Sequence, residues 1–225
     1  MSNELLFIIS IFADIFFISL VARRGVDWLF GTIILNLVLI AIFGAKLISV
    51  FDLTTNAGNV FYACVFFATY LILERQGKKG GLRIIWMGSG FIIFFALLSQ
   101  LSTQLHGLSL SSSANEALAA LFSFSLRITF ASVLAYVFAQ YVNVSIYEWL
   151  KARVIGKSLW VRSNVANIVS QLVDSLLFFT IAFPELPGPL LVQTILVGWL
   201  VKAVIVSLGT PMLYLDAYLE RKKHG

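Results

Sequence analysis

Long apolar runs, near residues 4–22, 27–50, 58–75, 83–105, 116–142, 164–183 and 190–218, fill this chain and leave only short polar or basic stretches between them. A helix needs about 20 mostly apolar residues to cross the hydrocarbon core of a bilayer. Inside lipid the backbone must satisfy its own hydrogen bonds, which helices do within one segment. A membrane β-barrel would instead show strands of alternating polarity, and these runs are continuous. The runs predict an all-α fold, a polytopic membrane helix bundle of seven spans forming a single transmembrane domain over 1–225.

Composition excludes the soluble alternative. Only 12% of residues are charged and 60% are hydrophobic, with a mean hydropathy of +0.94. A soluble domain carries roughly 25% charged residues, so the sequence lacks a surface to put in water. The opening stretch MSNELLFIISIFADIFF has no basic n-region and no small-residue cleavage site, so it reads as a retained helix rather than a signal peptide. The single cysteine, Cys64, sits inside an apolar run and cannot form a disulfide within the chain.

The net charge of +5 does not point to nucleic acid, because the basic residues lie between the runs. On the side reached after spans one, three, five and seven stand Arg23, Arg24, Arg75, Lys78, Lys79, Arg83, Lys151, Arg153, Lys157, Arg162, Arg221, Lys222 and Lys223. The opposite side has Lys46 alone, with Asp52, Glu116 and Glu185. Positive charge favours the cytoplasmic side, which predicts an inner-membrane protein with its N-terminus outside and its C-terminus in the cytoplasm. HGLSLSSSANE and PELPGP read as outside turns, and NVSIYEWLKARVIGKSLWVR as a cytoplasmic segment lying at the interface. The sequon at Asn143 is accidental on this topology.

Ionisable residues within spans are costly and mark functional sites by default. They are Asp14, Lys46, Glu74, Arg127, Asp174 and Lys202. Lys46 and Glu74 lie near span ends, where snorkelling to the headgroups is an equal reading. Arg127, Asp174 and Lys202 lie deeper, so Asp174 is expected to pair with Arg127 or Lys202. Span six is the most informative. Asn164, Asn167, Gln171 and Asp174 recur at i, i+3, i+7 and i+10, which stacks them on one helical face. Such a stripe can be a polar helix–helix seam or the lining of a site for a polar ligand. In span five Ala131, Ala135 and Ala139 repeat every fourth residue, a pattern for close helix packing, one turn after Arg127. Asn36 is expected to be peripheral. No HExxH, phosphate-binding glycine loop or Cys/His cluster occurs, and His106 and His224 lie outside the spans, so neither an enzyme nor a cofactor is indicated.

The run GKSLWVRSNVANIVSQLVDSLLFFTIAF, with Trp160, Arg162, Ser170, Gln171, Asp174 and Ser175, resembles the signature of the queuosine precursor transporters, vitamin-uptake-transporter-like membrane proteins. Further matches are GAKLI with Lys46, ERQGKKG with Glu74 and Gly77, RITFASVLAYVFAQ with Arg127, Ser132 and Gln140, and KAVIVSLGTPMLY with Lys202, Thr210, Pro211 and Tyr214. The resemblance covers about 27–215. The chain departs from the pattern at Tyr70, where the family usually has Asp, and at Ala166-Asn167 in place of a Ser-Thr pair. The resemblance implies a six-helix core like the substrate-binding component of vitamin transporters, plus an added N-terminal helix. It also implies uptake of a planar polar solute, a 7-deazaguanine base that is a precursor of a modified tRNA nucleoside. Asp174, Gln171, Asn167, Asn164, Arg127, Lys202, Glu74 and Lys46 are the expected substrate-binding residues. The rival readings are a substrate-binding subunit of an ATP-driven vitamin transporter, an intramembrane enzyme and a structural membrane protein. A homo-oligomer and separate ATPase subunits both stay open as assemblies.

Overall fold

The computed structural model describes residues 2–44, 46–51, 53–107, 112–122, 126–153 and 159–224. The helices are α1 (Asn3–Ala22), α2 (Val26–Phe43), α3 (Asn59–Thr103), α4 (Ser112–Phe122), α5 (Leu126–Arg153), α6 (Leu159–Ala182) and α7 (Gly188–His224). A short antiparallel hairpin, β1 (Leu47–Val50) with β2 (Leu53–Asn56), separates α2 from α3, with Leu47 opposite Asn56. Five helices, α1, α2, α3, α5 and α6, are long and apolar enough to cross a membrane, and α7 adds the apolar stretch Gly188–Val204. The fold is an all-α membrane helix bundle.

Lipid as the outer solvent explains how each helix is turned. α1 buries Phe7, Ile11, Ile15 and Ile18 yet exposes Leu5, Ile9, Phe12 and Phe16, so it is apolar on every side. That pattern belongs to a helix with protein on one face and hydrocarbon on the other. The first arm of α3 is the centre of the bundle. Every described side chain from Cys64 to Leu73 is at most 4% exposed, and α1, α2, α5 and α7 pack around this helix.

α3 has 45 residues, which as a straight helix would reach about 68 Å, more than twice the hydrocarbon thickness. It breaks at Gly77, whose φ of 59° and ψ of −155° are open to glycine and disfavoured for other residues. Past the break the chain doubles back. A Cβ at Gly81 would lie 2.8 Å from Leu73 Cδ2, although eight residues of straight helix would separate them by about 12 Å. The basic turn of the sequence is thus helical up to Gly77 on both sides, and the third and fourth apolar runs are its two arms.

Three expectations need correcting. α2 ends at Phe43, not near residue 50, and 47–50 form a strand. Its 18 residues already reach about 27 Å, and the β-branched Ile48, Val50, Thr54 and Thr55 that follow suit a pleated ribbon. The first part of the fifth run, α4, has no buried residue and touches the second arm of α3 through Phe95 and Phe122, edge to face at 6.0 Å, and residues 123–125 between α4 and α5 lie outside the described residues. Its alanine-rich apolarity suggested a buried helix. Finally, the stretch expected at the interface is mostly a continuation of α5, which runs to Arg153. Asn143, Val144, Tyr147 and Leu150 form its buried face while Trp149 points out, and the mixed polarity of the stretch hid that helical period. Residues 154–158 of that connection lie outside the described residues.

Candidate functional site

α6 is polar on the inside. Ser163, Asn164, Asn167, Ser170, Gln171, Asp174 and Ser175 are all buried, while Val165, Ile168, Val169 and Leu176 face outward. In water this helix would be inverted; in lipid the apolar face belongs outside and the polar one toward the bundle.

Three helices meet at Asp174. Lys202 of α7 donates to its Oδ2 at 2.6 Å, and the Tyr62 hydroxyl of α3 donates to its Oδ1 at 2.5 Å. Lys202 Nζ also lies 4.7 Å from the centre of the Tyr62 ring, a cation–π distance. The three residues are 4–8% exposed, so both charges depend on each other rather than on water. The sequence left the partner open between Arg127 and Lys202, and the fold brings Lys202. Tyr62 was missed. Its signal was the face Tyr62, Phe66, Tyr70 at i, i+4 and i+8, which carries phenol hydroxyls into an otherwise apolar run.

Along the inward faces of α6 and α5 lies a set of polar groups that the fold leaves unsatisfied. Both amide atoms of Asn167 and of Gln171, and the Ser175 hydroxyl, are buried without a hydrogen-bond partner on α6; so are both amide atoms of Gln140 and Asn143 Nδ2 on α5. All five residues have zero exposure. Buried polar groups are nearly always paired, and each unmade bond costs about 1–3 kcal/mol. Asn164, by contrast, is satisfied: it donates to Trp160 O at 2.9 Å and its Oδ1 accepts from Ser207 at 2.8 Å. α7 approaches α6 closely at Gly198, where a Cβ would meet Phe179 at 3.0 Å and Ser175 Oγ at 3.8 Å. Lys202 follows one turn later.

A second polar cluster closes one end of the same helices. Glu74 Oε1 accepts from Tyr147 at 2.7 Å and lies 3.3 Å from Lys151 and 3.4 Å from Arg162. Tyr70 stacks on Tyr147 with ring centres 5.3 Å apart and donates to Ser163 O at 2.8 Å. Glu74 thereby joins α3, α5 and α6.

The remaining expected site residues lie elsewhere. Arg127, expected deep in the fifth run, is half exposed at the start of α5 and makes a two-pronged bond to Glu185 at 2.6 and 3.2 Å. That bond holds the Glu185 carboxyl below the usual carboxylate range. Lys46 is exposed at the base of the hairpin, where its carbonyl accepts from Ala57 N. Asn36, expected to be peripheral, is 1% exposed and faces Asp14 of α1. Among the described residues no group of three or more His, Cys, Asp or Glu could hold a metal ion.

A multi-pass bundle whose polar lining faces inward is the architecture of a membrane transporter, and residues 56–215 match the family described as "Putative vitamin uptake transporter". The chain belongs to that family. It is 29% identical over 188 residues to a protein of Bacillus subtilis (strain 168) named "Probable queuosine precursor transporter", which covers 82% of this chain and 79% of that one. No solved structure matches it. The family match takes in Tyr62, Glu74, Asp174 and Lys202, while α1, α2 and β1 precede it.

Proposed function

We propose that this transporter carries a queuosine precursor, a 7-deazaguanine base, into the cytoplasm, and that the base binds against the inward face of α6. The reading rests on one observation above the others: Asn167, Gln171 and Ser175 are fully buried and unpartnered beside the Asp174–Lys202 pair. The name of the Bacillus subtilis relative supports the choice of solute. A guanine-like base has a two-donor edge that a carboxylate accepts, and a carbonyl that an amide or an ammonium can meet. Its flat face suits the Tyr62 ring. In binding, the donor edge takes over part of Asp174 from Tyr62 and Lys202, and the free amides of Gln171 and Asn167 acquire partners.

The described conformation is closed, since Gln171 and Ser175 have no exposure at all. Entry therefore requires α6 to part from α5 or α7, as in alternating access around a fixed site. The Glu74 cluster, beside the basic Lys151 and Arg162, then serves as the cytoplasmic closure. With the positive side inside, the C-terminal end of α7 is cytoplasmic and each arm of α3 crosses once.

The test is uptake of labelled 7-deazaguanine bases by cells that cannot make their own, with and without this chain. Uptake that depends on the chain and falls about tenfold to a hundredfold in Asp174→Asn is expected, because a hydrogen bond to a charged group is worth about 1.5–3 kcal/mol. Chain-independent uptake would overturn the solute. Co-purification of a stable ATPase from native membranes would reassign the chain as a binding subunit.

A further inference from the structure

A second carboxyl, half-buried, lies away from α6, in the part of the chain that precedes the family match. Asp14 sits midway along α1, facing α2 and the first arm of α3. Its Oδ1 accepts a long bond of 3.4 Å from Asn36 Nδ2, and the Cys64 thiol lies against the same carboxyl. Asn36 Nδ2 also donates to Thr32 O at 3.2 Å, which fixes the orientation of the amide. Two oxygens are then left over. Asp14 Oδ2 and Asn36 Oδ1 are both buried without a partner, and an oxygen with a lone pair cannot satisfy another one.

One proton on Asp14 resolves the pair. A neutral acid donates its O–H to the amide carbonyl while its own carbonyl accepts the amide N–H, so each side chain gives and takes one bond. The charges nearby do not offer another solution. Arg75 of α3 donates to Ala22 O at the far end of α1, and Glu4 accepts from Phe51 N at the near end. Lys202, the buried cation on α7, is held by Asp174. Arg83 of α3 lies over the Phe30 ring of α2. Among the described residues no cation pairs with Asp14, and an isolated carboxylate in lipid neutralises itself instead. A metal ion would want more oxygens than these two.

We propose that Asp14 and Asn36 form a proton-binding site in which Asp14 is a neutral acid joined to the Asn36 amide, with a hydronium-exchangeable proton as the ligand. The site locks α1 onto α2. Release of the proton leaves two oxygens without a donor and a bare charge between helices, so it requires α1 to shift or water to enter. This site stands apart from the solute site and does not rest on what is transported.

Infrared spectra of the purified protein in lipid test it directly. The wild type at neutral pH is expected to show the C=O stretch of a protonated carboxylic acid, shifted in D2O. Asp14→Asn should lose that band, Asp174→Asn should keep it, and Asn36→Leu should keep it at higher frequency because the acid's carbonyl has lost its donor. A spectrum without the band at neutral pH, or one that retains it in Asp14→Asn, overturns the proposal. So does a band that sodium ions remove at fixed pH, since the site would then hold a metal cation. Should Asp14→Asn fail to fold, the frequency shift in Asn36→Leu decides on its own.

Discussion

Asp174 and Asp14 both lie on helices of this bundle, and their surroundings differ in kind. Asp174 is met by an ammonium and a phenol from two other helices, whereas Asp14 is met by an amide and a thiol. The first set stabilises a charge and the second can satisfy a neutral acid. A carboxyl buried in lipid therefore has two routes to tolerance, a fixed cation or a proton, and the neighbours reveal which has been taken. The cation route lies in the region that matches the family, beside a row of free amides. The proton route lies in the N-terminal helices outside it.

The same kind of change should thus cost very different amounts at the two places. Lys202→Met leaves Asp174 buried without its cation, and breaking a buried pair from one side costs about 3–5 kcal/mol. Thermal unfolding in detergent should show a large drop for Lys202→Met, and the further change Asp174→Asn should recover part of it. Simple addition of the two losses would show that the pair is not coupled. Tyr62→Phe comes next, since it removes one bond to a charged group, worth about 1.5–3 kcal/mol. A Tyr62→Phe variant as stable as the wild type would mean that Asp174 does not rely on the phenol.

Asp14→Asn should be milder, within about 1 kcal/mol, because an amide can replace the donor of a neutral acid at the same place. A loss as large as that of Lys202→Met would show that Asp14 carries a charge and erase the contrast. Arg127→Gln should have the smallest effect. Its pair with Glu185 is largely exposed, and exposed pairs contribute little. The Glu185 carboxyl is held down by Arg127, so whatever stability the pair adds is present above the ordinary carboxylate range and is lost as pH falls through the lowered value. Melting at neutral pH should barely change in the variant, and any difference from the wild type should vanish in acid. A difference that grows in acid would contradict the sign.

The long apolar helices were legible because lipid imposes a length and a polarity on each, and the inward stripe of α6 was legible because four polar residues shared one helical period. What the sequence hid was local and relational. The hairpin after α2 stayed invisible because its β-branched residues are as apolar as a helix in lipid. Depth was the harder problem: Arg127 reads as mid-run until α5 is seen to start beside it, and Asn36 reads as peripheral until Asp14 of another helix is placed opposite. Tyr62 was hidden because a tyrosine among phenylalanines looks like packing, and its hydroxyl acquires meaning only from a carboxylate 112 residues later in the chain.

The free amides of α6 allow a test in which stability and binding move apart. Gln171→Leu removes a buried amide that has no partner in the closed bundle, so the empty protein should be as stable as the wild type or more so. The same change removes a group that the account assigns to the solute. Equilibrium binding of labelled 7-deazaguanine bases to purified Gln171→Leu, measured with its melting temperature, should show affinity at least about tenfold weaker, the worth of roughly 1.4 kcal/mol, with no loss of stability. Unchanged affinity would contradict the α6 site, and a clear fall in melting temperature would show that Gln171 serves the fold rather than the ligand.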